Sequence, residues 1–218
     1  MKRLSERSDF PAPSPAPARV RYAVLGFVGF LSAVSVVGVA LSPYLLVEHP
    51  LLLVAMSPVG RHVALAAPAV DPTLLVIVTV VRRVIGEFAS YGLGVLYGYA
   101  AVVWMEARSP RLGSFVRWVE SLFMRFGAPL LIVAPAHSLA LVAGAARVGP
   151  FAVALYLTLG ELLWVIGTTY FGGAIAGWTK LLTGFFSAYM LESTLVCVFL
   201  VLARVAWGWR KRRAVANE

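Results

Sequence analysis

Aspartate occurs only twice in the 218 residues, as Asp9 and Asp71, and cysteine once, as Cys197. The lone cysteine excludes an intrachain disulfide, and its place inside an apolar run makes it a packing residue. Charged residues make up only 13% of the chain, against 60% hydrophobic residues and a mean hydropathy of +0.84. A water-soluble domain of this length could not bury that much apolar surface, so a soluble enzyme is excluded. Enzyme signatures are also lacking: there is no Gly-x-Ser-x-Gly elbow, no Walker loop and no His/Cys/Asp cluster at metal-ligand spacing. Neither catalysis nor a metal or other cofactor is therefore expected.

What the chain does carry is positive charge, 19 Lys+Arg against 10 Asp+Glu. Its placement argues for a membrane and against nucleic acid. Lys2, Arg3, Arg7, Arg19 and Arg21 occupy one tail, Arg204, Arg210, Lys211, Arg212 and Arg213 the other, and Arg108, Arg111, Arg117, Arg125 and Arg147 the middle. Only Arg61 and Lys180 fall on the opposite side, and Arg82 and Arg83 lie at membrane depth. Under the positive-inside rule both termini are cytoplasmic.

Along the chain, residues 1–21 read as a disordered basic tail around Pro11–Pro17, residues 22–47 as a first transmembrane helix, and residues 181–207 as the last, before a basic tail over 208–218. Two further crossings are expected, one opened by Asp71-Pro72 and one over about Phe151–Trp178. Between them, residues 108–126 have the spacing of an amphipathic interfacial helix. Two apolar stretches are interrupted, one by Pro50, Pro58, Gly60 and Pro68, the other by Pro135, His137 and Gly144. Their pieces fall short of the roughly 20 residues a crossing takes, and irregular backbone at membrane depth needs shelter from lipid. Both read as re-entrant hairpins.

The two halves are also alike. Ser57-Pro58 through Ala67 aligns with Ala134-Pro135 through Gly144, and Gly86-Glu87 followed by Gly98 matches Gly160-Glu161 followed by Gly172 at the same spacing. One copy starts from the outer side and the other from the cytoplasmic side. The expected fold is thus all-α and polytopic, with two inverted repeats of one hairpin plus one transmembrane helix, a recurrent plan for transporters.

Residues 48–178 resemble the DedA family, also described as VTT-domain or SNARE-associated Golgi proteins. The family pattern Gly-Asp-x-x-Gly-Tyr-x-x-Gly-x-x-x-Gly is matched by Gly86-Glu87, Ser90-Tyr91, Gly94 and Gly98, with two conservative changes. Ala143-Gly144, Gly160 with Trp164, and Gly172-Gly173 follow in the family's order. The resemblance implies a flippase or scramblase for polyprenyl-phosphate or phospholipid headgroups, set in a bacterial plasma membrane and in some members dependent on the proton gradient. In the second hairpin the paired arginines usual in bacterial members are replaced by Ile132 and Ser138.

Several residues are candidates for that chemistry. A carboxylate at membrane depth costs on the order of 3 kcal/mol, so Glu87 calls for a partner or a task. Arg83, one turn earlier, offers a static ion pair, and protonation of Glu87 during transport is the alternative. Glu161 is its counterpart in the second repeat, with no cation one turn away, and serves either protonation or a hydrogen bond to hairpin backbone. Arg61, His62, Arg82, Arg83 and His137 are candidates for headgroup binding, guanidinium being the best suited to phosphate. Gly86, Ser90, Gly94 and Gly98 recur every four residues and provide close packing between repeats or a homodimer groove.

The expected partners are therefore membrane lipids, and the expected activity is movement of a lipid headgroup between leaflets. A small-solute or ion transporter and a non-transporting membrane organiser are the alternatives.

Overall fold

The computed structural model describes residues 16–98, 118, 121–123 and 125–216, of which 209 and 211–216 by backbone alone. The interfacial helix expected over 108–126 falls largely outside these residues. Among the described residues all regular structure is helical, in the order α1 (Ala18–Ala40), α2 (Ser42–Glu48), α3 (Pro50–Met56), α4 (Gly60–Ala66), α5 (Pro72–Tyr97), α6 (Leu130–Val133), α7 (His137–Ala145), α8 (Pro150–Ala174), α9 (Ala176–Ala188) and α10 (Met190–Ala216).

Among the described residues three helices are long and apolar enough to cross a membrane: Ala18–Ala40, Pro150–Ala174 and Met190–Gly208. They turn large apolar side chains outward, among them Phe30, Phe151, Leu163 and Phe199. Hydrocarbon is the solvent that accepts such a surface, so the chain is built as a membrane protein. Helix α5 has the length, 26 residues or roughly 39 Å. Every eighteen-residue stretch of it, however, contains Arg82, Arg83 and Glu87.

Helix ends depart from the expected ones in several places: α1 opens at Ala18, inside the tail expected over 1–21, α10 runs on to Ala216, through most of the tail expected over 208–218, and three further ends differ. The first helix stops at Ala40 and not at 47, because Pro43 cannot continue an i→i−4 ladder and instead opens α2. The third crossing ends at Ala174, beyond the glycine pair Gly172-Gly173, which weakens a helix locally. The last apolar run, expected to be one helix over 181–207, is interrupted at Tyr189, and α10 starts with Glu192 in its first turn, where an acid favours the helix dipole. The helix α5 begins at Pro72 as the Asp-Pro pair implies, with Asp71 Oδ1 accepting from the Leu74 N–H at 3.0 Å.

The chain divides into two compact units, unit 1 drawn from Met1–Leu31 and Val80–Trp164, unit 2 from Ser32–Thr79 and Val165–Glu218. Unit 1 has a core in which Tyr91 of α5, Phe123, Leu131 of α6, Leu139 through Ala143 of α7, and Val153 and Leu157 of α8 are buried together. Helices α5 and α7 come backbone to backbone at Gly94 and Gly144: a Cβ at Gly94 would overlap the Leu141 carbonyl oxygen, and one at Gly144 that of Tyr91. Helix α7 ends in a Schellman turn, with Val148 N–H on the Ala143 carbonyl and Arg147 in the left-handed region at φ 58°. The Tyr91 hydroxyl donates to the Val148 carbonyl at 2.6 Å and ties that turn to α5.

In unit 2 the helices α2, α3 and α4, of seven residues each, are far too short to cross a bilayer. Leu45, Leu46 and Leu53 form their core, with Met56, Leu65 and Phe186 of α9 against it. Two glycines permit the packing. A Cβ at Gly38 would come 2.8 Å from Met56 Cβ, and one at Gly172 would overlap the Ala64 carbonyl oxygen.

Candidate functional site

Five of the charged residues singled out above come together in unit 1. Arg82, Arg83 and Glu87 project from the middle of α5, His137 opens α7, and Glu161 lies on α8. Both carboxyls are buried, with Glu87 at 1% exposure and Glu161 at 0%, whereas Arg83 is 25% and His137 68% exposed. The cluster thus has a floor of two carboxyls and a more accessible rim of Arg83 and His137.

The pairing differs from the expected one. Arg83 is not bonded to Glu87 one turn along its own helix; its Nε donates to Glu161 Oε2 across to α8. Glu87 faces α7, where its Oε1 lies 3.8 Å from His137 Nδ1. The expectation that Glu161 lacks a cation considered only its own helix, and the partner comes from another. Glu87 and Glu161 also approach each other within hydrogen-bonding reach. Among the described residues Glu87 Oε2 and Glu161 Oε1 have no bonded partner.

Gly86 is where an arginine and a histidine side chain converge. A Cβ built there would lie 3.6 Å from both Arg82 Nη1 and His137 Nε2. Arg82 Nη2 donates in addition to the Leu31 carbonyl at 3.2 Å, which anchors the guanidinium to α1. Gly160 has a similar task beside Glu161. A Cβ there would overlap the Leu131 carbonyl oxygen, so the missing side chain lets the end of α6 press onto α8. The Trp164 indole, one turn later, donates to the Val133 carbonyl at 3.2 Å and fixes the backbone just before the Pro135 break. That break, residues 134–136, places His137 at the first turn of α7, whose N-cap Ala136 supplies no side-chain bond.

Other candidates take different roles. Arg61 and His62 belong to unit 2, and His62 is a structural residue there: its buried ring engages the Ser57 carbonyl through Nδ1 at 3.0 Å and receives Arg61 Nε on Nε2 at 3.5 Å. With both nitrogens occupied, His62 braces the break at Ser57-Pro58 and is not a headgroup ligand. Arg61 remains on the surface. Within the small-residue series Gly94 provides close packing, Ser90 Oγ bonds back to the Gly86 carbonyl at 3.2 Å, and Gly98 is the left-handed cap that ends α5, at φ 57°. Among the described residues no three His, Cys, Asp or Glu side chains are grouped to hold a metal ion.

An arrangement of this kind can exchange one anion for another. A phosphate entering from the rim competes with Glu161 for Arg83, and the released carboxylate, next to Glu87, then needs a proton in place of the lost cation. Comparison of the chain with family models, with curated proteins and with solved structures found no match.

Proposed function

We propose that this chain is a DedA-like lipid transporter, a flippase or scramblase that carries the phosphate-bearing headgroup of a polyprenyl phosphate or phospholipid between leaflets. The observation that supports it most is the pairing of two buried carboxyls, Glu87 and Glu161, with the more exposed basic side chains Arg83 and His137 in a membrane chain. Charges at that depth are costly, and a fully structural ion pair would have no use for a second carboxyl or for an open basic rim. The headgroup binds at Arg83, Arg82 and His137 while its tails remain in lipid. Glu161 leaves Arg83 as phosphate arrives, and the carboxyl pair takes up a proton.

In this reading the short helices α2 to α4, and α6 with α7, form two re-entrant hairpins of an inverted repeat, and both termini are cytoplasmic. Ala64 and Leu141 hold matching positions when the hairpins are aligned on Pro58 and Pro135. Each receives a glycine of a long helix on its carbonyl, Gly172 for Ala64 and Gly94 for Leu141. The likeness holds on the hairpin side, since Gly172 pairs with Gly98 in the helix alignment and Gly94 stands one turn before it.

The test is leaflet exchange of a fluorescently labelled phospholipid in reconstituted vesicles. The wild-type chain accelerates exchange, while Glu87→Gln removes the acceleration and leaves the amount of folded protein unchanged. Wild-type rates equal to those of empty vesicles, with both labelled phospholipid and labelled polyprenyl phosphate, would overturn the reading. Accumulation of a solute in sealed vesicles would assign the cluster to solute transport.

A further inference from the structure

Unit 2 holds a cavity of about 470 Å³ between the second half of α1, the break after α3, and α10. Its polar lining is Ser35, Ser57 and Arg204, and valines such as Val36, Val59 and Val201 make up most of the rest. Ser57 stands out. It is 1% exposed, and its hydroxyl has no hydrogen-bond partner among the described residues. A buried hydroxyl left unpartnered costs about 1 to 3 kcal/mol, so its retention calls for an explanation.

Local packing fixes the backbone and Cβ of Ser57, so rotation about χ1 is the movement left by which its hydroxyl meets a partner in the cavity. A Cβ at Gly38 would lie 3.1 Å from Ser57 Cβ, so α1 presses directly on it, and His62 Nδ1 engages its carbonyl at 3.0 Å from the other side. Ser35 Oγ donates to the neighbouring Met56 carbonyl at 3.2 Å. Arg204, assigned by charge counting to the cytoplasmic side, lines this same cavity from α10. A guanidinium and a donor hydroxyl among valines match an anion attached to hydrocarbon.

We propose that this cavity is a binding site for the phosphate of a membrane lipid. Arg204 forks onto two phosphate oxygens, the Ser57 hydroxyl donates to a third, and the valine walls contact the chain next to the phosphate. The site shares no residue with the Glu87 and Glu161 cluster and is occupied whether or not the protein exchanges lipid between leaflets. Phosphate suits it better than a carboxylate because it offers enough oxygens for both donors at once.

The full chain in phosphatidylcholine nanodiscs, doped with phosphatidic acid bearing a photoreactive group near the glycerol end of one acyl chain, gives the test. Cross-links mapped by mass spectrometry are expected near Val59 and over Val201–Val205. Arg204→Gln lowers their yield about tenfold and Ser57→Ala about fivefold. Arg204→Lys retains most of the yield, and Arg210→Gln on the basic tail leaves it unchanged. If Arg204→Gln fails to fold, loss of yield in Ser57→Ala with retention in Arg204→Lys decides in favour. Unaltered yield in Arg204→Gln or Ser57→Ala would overturn the proposal. So would equal labelling by diacylglycerol or oleate probes, or displacement of the lipid probe by an equal concentration of inorganic phosphate.

Discussion

Arg83 of α5 is bonded to Glu161 of α8 and not to Glu87, one turn away on its own helix. The pair ties two long helices of unit 1 together at a point where a second carboxyl, Glu87, adjoins the first. One cation therefore holds a site that contains two acids, and what happens when that cation is removed distinguishes this arrangement from an ordinary salt bridge.

Arg83→Ala leaves Glu161 buried without its cation and next to Glu87. Breaking one side of a buried pair costs about 3 to 5 kcal/mol, and the partial exposure of Arg83 puts the expected loss at the lower end of that range. Glu161→Gln in the same chain removes the stranded charge, so the double variant recovers most of the stability. Thermal unfolding in detergent of both single variants and the double variant measures this. A double variant no more stable than Arg83→Ala would show that Glu161 is not the group Arg83 stabilises.

The contact of Gly94 with Gly144 makes a sharper steric prediction. Adding one methyl group at either position drives it into the backbone of the facing helix, which cannot yield as a side-chain tip would. Gly94→Ala and Gly144→Ala are each expected to cost 3 kcal/mol or more, above the usual range of about 1 to 3 for overpacking. Gly26→Ala, where a Cβ meets nothing within 4 Å, serves as the neutral control. Equal melting temperatures for Gly94→Ala and Gly26→Ala would mean that α5 and α7 do not meet at these residues.

The membrane character, the proline-broken stretches and the start of α5 at Pro72 were all legible in the sequence, because each follows from local composition. Hydropathy alone could not locate the interruption at Tyr189, which has no proline or glycine within four residues on either side. The members of the candidate site were legible as polar residues within apolar stretches, but their pairing was not. Spacing along one helix identifies the neighbour at i+4, whereas Arg83 finds Glu161 through the packing of α5 against other elements. The local roles of His62 and Gly98 were not legible for a related reason. A histidine in an apolar run and a glycine in a four-residue series look the same to the sequence whether they bind, pack or cap. Ser57 and Arg204 gave no signal at all, since a serine before a proline and an arginine near a basic tail are ordinary in a membrane chain.

The bond from the Tyr91 hydroxyl to the Val148 carbonyl holds the turn between α7 and α8 onto α5. Tyr91→Phe keeps the ring in the unit 1 core and removes only that bond. The expected loss is about 1 kcal/mol, rising toward 2 if water cannot reach the abandoned carbonyl. Hydrogen exchange offers the specific readout, faster at the amides of 146–149 and unchanged at those of α4. A uniform increase across the chain would mean that the hydroxyl supports the fold globally and has no special hold on the turn.

The histidines differ enough in exposure for chemical modification to separate them. His137 is 68% exposed at the rim of the charged cluster and His49 is exposed, whereas His62 is buried with both ring nitrogens engaged. Diethyl pyrocarbonate acting on detergent-solubilised protein is therefore expected to modify His137 and His49 quickly and His62 at least tenfold more slowly, since the reagent needs an accessible unprotonated nitrogen. Binding of a short-chain phosphatidic acid at the rim slows modification of His137 and leaves His49 as before. Mass spectrometry of the digested protein resolves the three sites. Protection of His49 and His137 to the same extent would indicate general shielding by lipid, and rapid modification of His62 would show that the break at Ser57-Pro58 opens in solution.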